Sequence, residues 1–201
     1  MKKPFRLLIG VPCHDYVHAD FVKSLEGLTQ HLSREGVNYQ LEIHVGTLVY
    51  FARNRLACMA INEGFTHLLF LDSDMVFDPD IVETLTFSGH DFVCGAFQSR
   101  RPPYGSCIFT NLNPVERVED YGVEPFRVAG CGMACTLISA EILKTVQNHY
   151  GNCFTPTPEF GEDLAFCDRA RRMGAEIWCE PTARVGHIAH KAIWPGEARE
   201  E

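Results

Sequence analysis

His67-Leu68-Leu69-Phe70-Leu71-Asp72-Ser73-Asp74 is the stretch on which the fold turns. Five residues dominated by large apolar side chains, with no alternation of polar and apolar, predict a strand over 67–71 covered on both faces, as in the middle of a parallel sheet. Two carboxylates follow at once. Ligands of open parallel sheets bind at the C-terminal ends of the strands, where Asp72 and Asp74 would stand. Carboxylates one residue apart repel unless a cation shares their space, and a divalent ion bridging a diphosphate meets that need; hard oxygen ligands favour Mg2+ or Mn2+. The bland alternative is a strand that ends in a solvated turn.

Outward from this strand the chain alternates apolar runs with helical patterns. Arg6 to Val11 predicts a strand ended by Pro12. Val17 to Arg34 predicts a helix with Phe21, Leu25, Leu28 and Leu32 on one face, closed by Gly36. Leu41 to Val45 reads as a strand, Tyr50 to Glu63 as a helix, and Asp78 to Phe87 as a short helix with Asp78 at its N-cap and Pro79 at its first position. Phe92 to Ala96 adds a fourth strand. This is the rhythm of a mostly parallel central sheet with helices on both faces, an α/β three-layer class. Gln98 to Pro125, broken by proline, glycine and asparagine, reads as a flap or acceptor wall. A strand from Phe126 through Gly130-Cys131-Gly132 to Ile138, helices over 140–148 and 162–173, and a strand over 176–180 complete the pattern.

The 201 residues fit a single domain, with 46% apolar and 22% charged residues enough for a packed core. A net charge of -8 argues against a nucleic-acid partner. No apolar stretch is long enough for a transmembrane segment, and the start, MKKPFRLLIGVPCHD, reads as a strand and not as a leader, so a cytoplasmic protein is expected. Nine cysteines, an odd number without a C-x-x-C, read as buried free thiols in a reducing compartment.

A second acidic pair, Glu162-Asp163, opens the helix after Gly161. Acids in a first turn gain from the helix dipole, but a carboxylate there also suits general-base work. Arg184-Val185-Gly186-His187-Ile188-Ala189-His190 follows the last strand, and a neutral imidazole ligates manganese beside carboxylates. His187 is the expected metal ligand, with His190 left open. A calcium loop is excluded, because Val76 and Phe77 occupy its fifth and sixth positions where a ligand and a glycine are required. An aspartyl-nucleophile phosphatase lacks its supporting residues.

Taken together, Val11-Pro12, Ala52-Arg53-Asn54-Arg55, Phe70-Leu71-Asp72-Ser73-Asp74-Met75, the strand around Gly130 to Met133, Gly161-Glu162-Asp163 and the late His187 resemble, in order and over nearly the whole chain, the GT-A glycosyltransferases of the inverting family-two type. The resemblance implies that Asp74 coordinates the metal, that Asp72 binds the ribose or a metal-bound water, and that His187 is the late metal ligand. It implies Asp163 as the catalytic base, with Glu162 as the alternative, and Pro12, Arg53 and Asn54 as donor-binding residues. An arginine beside a diphosphate has its own electrostatic rationale. Arg100 and Arg101 are candidates for screening the phosphates, and His14, Asp15 and His18 for the donor pocket. No Q-x-x-R-W motif is present, so a single-addition enzyme is implied and not a processive synthase.

The expected function is metal-dependent transfer of a sugar from a nucleoside-diphosphate-sugar donor to a hydroxyl acceptor (a glycan, a lipid-linked sugar or a small molecule), with inversion. Residues about 1–97 would bind the nucleotide and about 98–201 would serve the acceptor and catalysis. Retaining transfer, nucleotidyl transfer and a non-catalytic sugar-binding domain are the alternatives.

Overall fold

A computed structural model describes residues 4–46, 48–189 and 192–193. In chain order the elements are β1 (Arg6–Cys13), α1 (Ala19–Arg34), β2 (Asn38–Val45), α2 (Val49–Asn62), β3 (His67–Leu71), β4 (Met75–Val76), α3 (Ile81–Phe87), β5 (Phe92–Ala96), β6 (Ile108–Leu112), β7 (Val115–Arg117), β8 (Phe126–Val128), β9 (Gly130–Cys131), β10 (Cys135–Ser139), α4 (Ala140–Tyr150), α5 (Glu162–Arg172), β11 (Ile177–Arg184), β12 (Gly186–Ile188) and β13 (Ala192–Ile193).

Seven strands form the main sheet in the order β2-β1-β3-β10-β5-β11-β8. β2, β1, β3, β5 and β11 run one way, while β10 and β8 run against them. The central strands explain themselves by composition: β3, β5 and β10 bury almost every residue, as strands covered on both faces must. Right-handed crossovers from β1 to β2 and from β2 back to β3 put α1 and α2 on opposite faces. α1 shares its face with α3, where His31 meets Glu83 at 3.0 Å. α2, α4 and α5 pack in sequence on the other. The sheet is therefore the middle of three layers, as the sequence pattern predicts.

Four expectations are corrected. β1 does not stop before Pro12 but runs through it to Cys13, with Pro12 opposite His44. Beyond Gly10 the ladder to β3 has ended, so one side of β1 is free and a missing N–H there costs no pairing. Asp78 does not cap α3. It closes a turn, its carbonyl accepting from Ile81 N at 3.2 Å, and the helix starts three residues later. The single strand expected over 126–138 is three pieces, because β8 pairs with β11, β9 with β6, and β10 with β3 and β5. The last strand is not over at Glu180: β11 continues to Arg184 across a register shift against β5.

All nine cysteines are free, seven of them buried. No helix among the described residues is long and apolar enough to cross a membrane.

Candidate active site

Both acidic pairs lie at the C-terminal rim of the sheet, and one guanidinium stands between them. Asp72 is fixed where β3 ends, its N–H donating to the Ala134 carbonyl at 2.9 Å. Its side chain faces Arg53 of α2, whose Nη2 donates to Oδ1 at 2.9 Å and lies 3.2 Å from Oδ2. Burial raises the Asp72 carboxyl above its usual range; the Arg53 charge opposes this and the Asp74 charge adds to it.

Arg53 is only 3% exposed. Its guanidinium lies over the Phe70 ring at 5.3 Å, and its Nε is 3.7 Å from Glu162 Oε1. Nε and Nη1 are buried without a hydrogen-bond acceptor. A buried donor left unmade costs about 1–3 kcal/mol, so such atoms in a native fold call for a reason.

Asp74 is brought to His187 by a short ladder. β12 pairs antiparallel with β4, setting His187 opposite Met75, and Ile188 N donates to the Asp74 carbonyl at 2.8 Å. His187 Nε2 thereby lies 3.4 Å from Asp74 Oδ2, and Nδ1 is 2.9 Å from the Gln98 carbonyl. Since a carbonyl only accepts, Nδ1 carries the proton and Nε2 is the ring atom turned towards the carboxylate. Arg100, from the segment after β5, pairs with the same Asp74 oxygen. Burial acts to raise the Asp74 carboxyl, but the hydrogen bond and charge of His187, with the charge of Arg100, outweigh it and hold it below the usual range. Burial acts to lower the His187 imidazole, and its bonds to Asp74 and Gln98 reverse that to a net rise.

Asp163 sits in the first turn of α5, its Oδ1 accepting from Leu164 N at 2.9 Å. Its carboxyl is pushed up to about 6, chiefly by burial and then by the neighbouring Glu162 charge, against the pull of Arg53. Gly132 makes room for it: a Cβ there would lie 3.6 Å from Asp163 Oδ2 and 3.0 Å from the Phe97 ring.

A cleft of about 170 Å3 opens beside Asp72, Ser73 and Asp74, walled by Pro12, Gly46 and Val49. Larger hollows elsewhere, such as the one beside Trp178, lie away from these acids. Pro12 is thus at the cleft. Asn54 is turned from it, its Oδ1 accepting from Phe154 N at 2.9 Å. His18 caps α1, its Nδ1 accepting from Asp20 N at 3.2 Å, whereas His14, paired with Asp15 at 2.5 Å in the exposed loop after β1, also lines the cleft. Arg101 is exposed in the turn closed by Tyr104 N on its carbonyl at 2.8 Å. His190 lies outside the described residues.

Among the described residues no three His, Cys, Asp or Glu side chains converge to hold an ion. Asp74 and His187 meet, whereas Asp72 faces Arg53. The pair nevertheless suits a dication: a carboxylate faces an imidazole whose Nδ1–H is held by a carbonyl, the outer contact that orients metal-binding histidines. Sequence reasoning could not find that carbonyl of Gln98, because a backbone group carries no residue signal. Arg53 was expected at the donor, and the structure sets it against Asp72 and within 3.7 Å of Glu162, between the two acidic pairs.

No protein-family model matches the chain, and no curated protein does. Solved structures do. The structure of A197 from STIV superposes with a TM-score of 0.60 at 21% identity, covering 98% of each chain. A mutant Drosophila beta-1,4-galactosyltransferase 7 in complex with manganese, UDP-Gal and xylobiose superposes with a TM-score of 0.50 at 14% identity, over 92% of this chain and 71% of the other. The class these define is the GT-A, nucleotide-sugar-transferase-like α/β fold. This chain's two acidic pairs stand at the C-terminal rim of the strands, where open parallel sheets bind ligands.

Proposed function

We propose that the protein is a glycosyltransferase of the inverting family-two type, transferring a sugar from a nucleoside-diphosphate donor to a hydroxyl acceptor. The observation that carries this is the geometry of the rim, where Arg53 stands between Asp72 and Glu162 and Asp163 sits half-buried beside Glu162, its carboxyl pushed up to about 6 chiefly by burial. A base ionised at neutral pH yet more basic than a free carboxylate suits proton removal from a sugar hydroxyl.

In this reading the nucleotide lies in the cleft beside Pro12 and Asp72, with Ser73 and Asp74 at its diphosphate end. Asp74 and His187 would hold Mn2+ or Mg2+, which when bound neutralises charge gathering on the departing diphosphate. Manganese in the galactosyltransferase complex supports that choice. Asp163 takes the acceptor's hydroxyl proton as its oxygen bonds to the anomeric carbon. The bond to the diphosphate oxygen breaks with its electron pair leaving on the nucleoside diphosphate. A single displacement inverts the centre and needs only this one base. Glu162, beside Arg53, keeps the Asp163 carboxyl basic by its charge. Residues 1–97 serve the donor and 98–201 the acceptor and the base. Nine unpaired thiols support a reducing, cytoplasmic location.

The test is a screen of nucleoside-diphosphate sugars with and without Mn2+, with the product linkage assigned by proton NMR. Asp163→Asn is expected to lower turnover by about a hundredfold to ten-thousandfold. Wild-type turnover in that variant, or a retained anomeric configuration, would remove the assignment.

A further inference from the structure

α2 and α5 are far apart in the sequence, and something must set the distance between the end of β3 and the acids of α5. Two consecutive residues of α2 reach in both directions. Arg53 grips the end of β3 with Nη2, which lies 2.9 and 3.2 Å from the two oxygens of Asp72, and holds Nε in ion-pair range of Glu162 at 3.7 Å. Asn54 accepts from the backbone of Phe154 at 2.9 Å, in the loop that leads into α5. The Phe154 ring in turn stacks on Phe166 of α5 at 4.4 Å and meets Phe70 of β3 edge-on at 5.3 Å.

We propose that Arg53 and Asn54 form a clamp joining the donor end of the site to α5, in which Arg53 is the positioning residue for Asp163. The inference rests on the reading of Asp163 as the base. A guanidinium suits this role, since its charge is spread over separate nitrogens and reaches the Asp72 and Glu162 carboxylates together, where an ammonium offers one point. The groups facing Asp163 are Glu162 beside it, Arg53 from α2, Cys131 of β9, Cys107 ahead of β6 and Cys167 one turn further along α5. Among these Arg53 is the cation. It is almost fully buried, where water screens its field least. Arg53 therefore favours the ionised base and fixes its place relative to the donor with the same side chain.

Carbon-13 NMR of the Asp163 carboxyl, assigned against Asp163→Asn, is read through a pH titration of the ligand-free wild type, Arg53→Met and Arg53→Lys. Asp163 is expected to titrate about one pH unit or more higher in Arg53→Met. Arg53→Lys is expected to restore much of the ionisation but to turn over at least about tenfold slower at pH 8.5, where charge is no longer limiting and only placement differs. An unchanged Asp163 titration in a folded Arg53→Met overturns the inference. Should that variant not fold, nitrogen-15 NMR of the wild-type Arg53 Nε decides. Its resonance is expected to move with the Asp163 titration and to stay flat in Asp163→Asn, and a flat wild-type response overturns the inference equally. If the coupling is present and no sugar is transferred from any donor, the clamp stands and the functional reading falls.

Discussion

At the scale of single residues, the raised carboxyl of Asp163 ties stability to pH. Its carboxyl titrates at about 6 in the fold against 3.8 in an unfolded chain. Between those values the folded state binds the extra proton, so this group makes the fold less stable as pH rises through 6 and relieves it as pH falls towards 3.8. Asp163→Asn is therefore expected to be more stable than wild type at pH 8, by roughly 3 kcal/mol at most, with the gap closing below about pH 4. Urea unfolding at the two pH values checks it. If Asp163 is the base proposed above, turnover is expected to run the other way, rising with pH through about 6 as its carboxyl ionises. Arg100 shares Asp74 Oδ2 with His187, where an incoming dication would bind. Arg100→Ala is expected to bind Mn2+ about two- to fivefold more tightly, the worth of a partly exposed ion pair, as measured by electron paramagnetic resonance. Unchanged or weaker binding would show that Arg100 does not compete for that oxygen.

Among the elements, the smallest matter most to the site. β4 and β12 have two and three residues, too few for any periodicity, yet their pairing brings His187 to Asp74. By contrast β3 and β5 have the limits their sequences predict, because a short run of almost wholly apolar residues is buried on both faces and leaves no choice of face. α5 was equally legible, with acids in its first turn and arginines in its last, the polarity the helix dipole favours. The loop that feeds it was not, since its anchor is a side chain a hundred residues earlier in the chain. Asn54→Leu leaves the Phe154 N–H without that acceptor. It is expected to cost about 1–3 kcal/mol in thermal or urea unfolding. An undiminished stability would mean the loop is held by its ring stacking alone.

For the whole molecule, the cleft beside Asp72 and Asp74 is built from the first half of the chain whereas Glu162, Asp163 and His187 come from the second, so a ligand touching both should stabilise the fold as a unit. At a hundred times its dissociation constant, a nucleoside diphosphate with Mn2+ is expected to add about 2.7 kcal/mol. For a chain of this size that is a rise of roughly 5–11 °C in the unfolding midpoint, abolished by a chelator if the metal bridges protein and diphosphate. A rise that survives chelation would point to binding without the ion. The sequence by itself determined the class of fold, the strand that carries Asp72 and Asp74, and the helix that opens with Glu162 and Asp163. Those follow from local apolar patterning and from where charge interrupts it. Only the tertiary structure decided that Asp74 meets His187 while Asp72 turns to Arg53, because contacts between segments remote in sequence depend on strand order and on which side chains share a buried space.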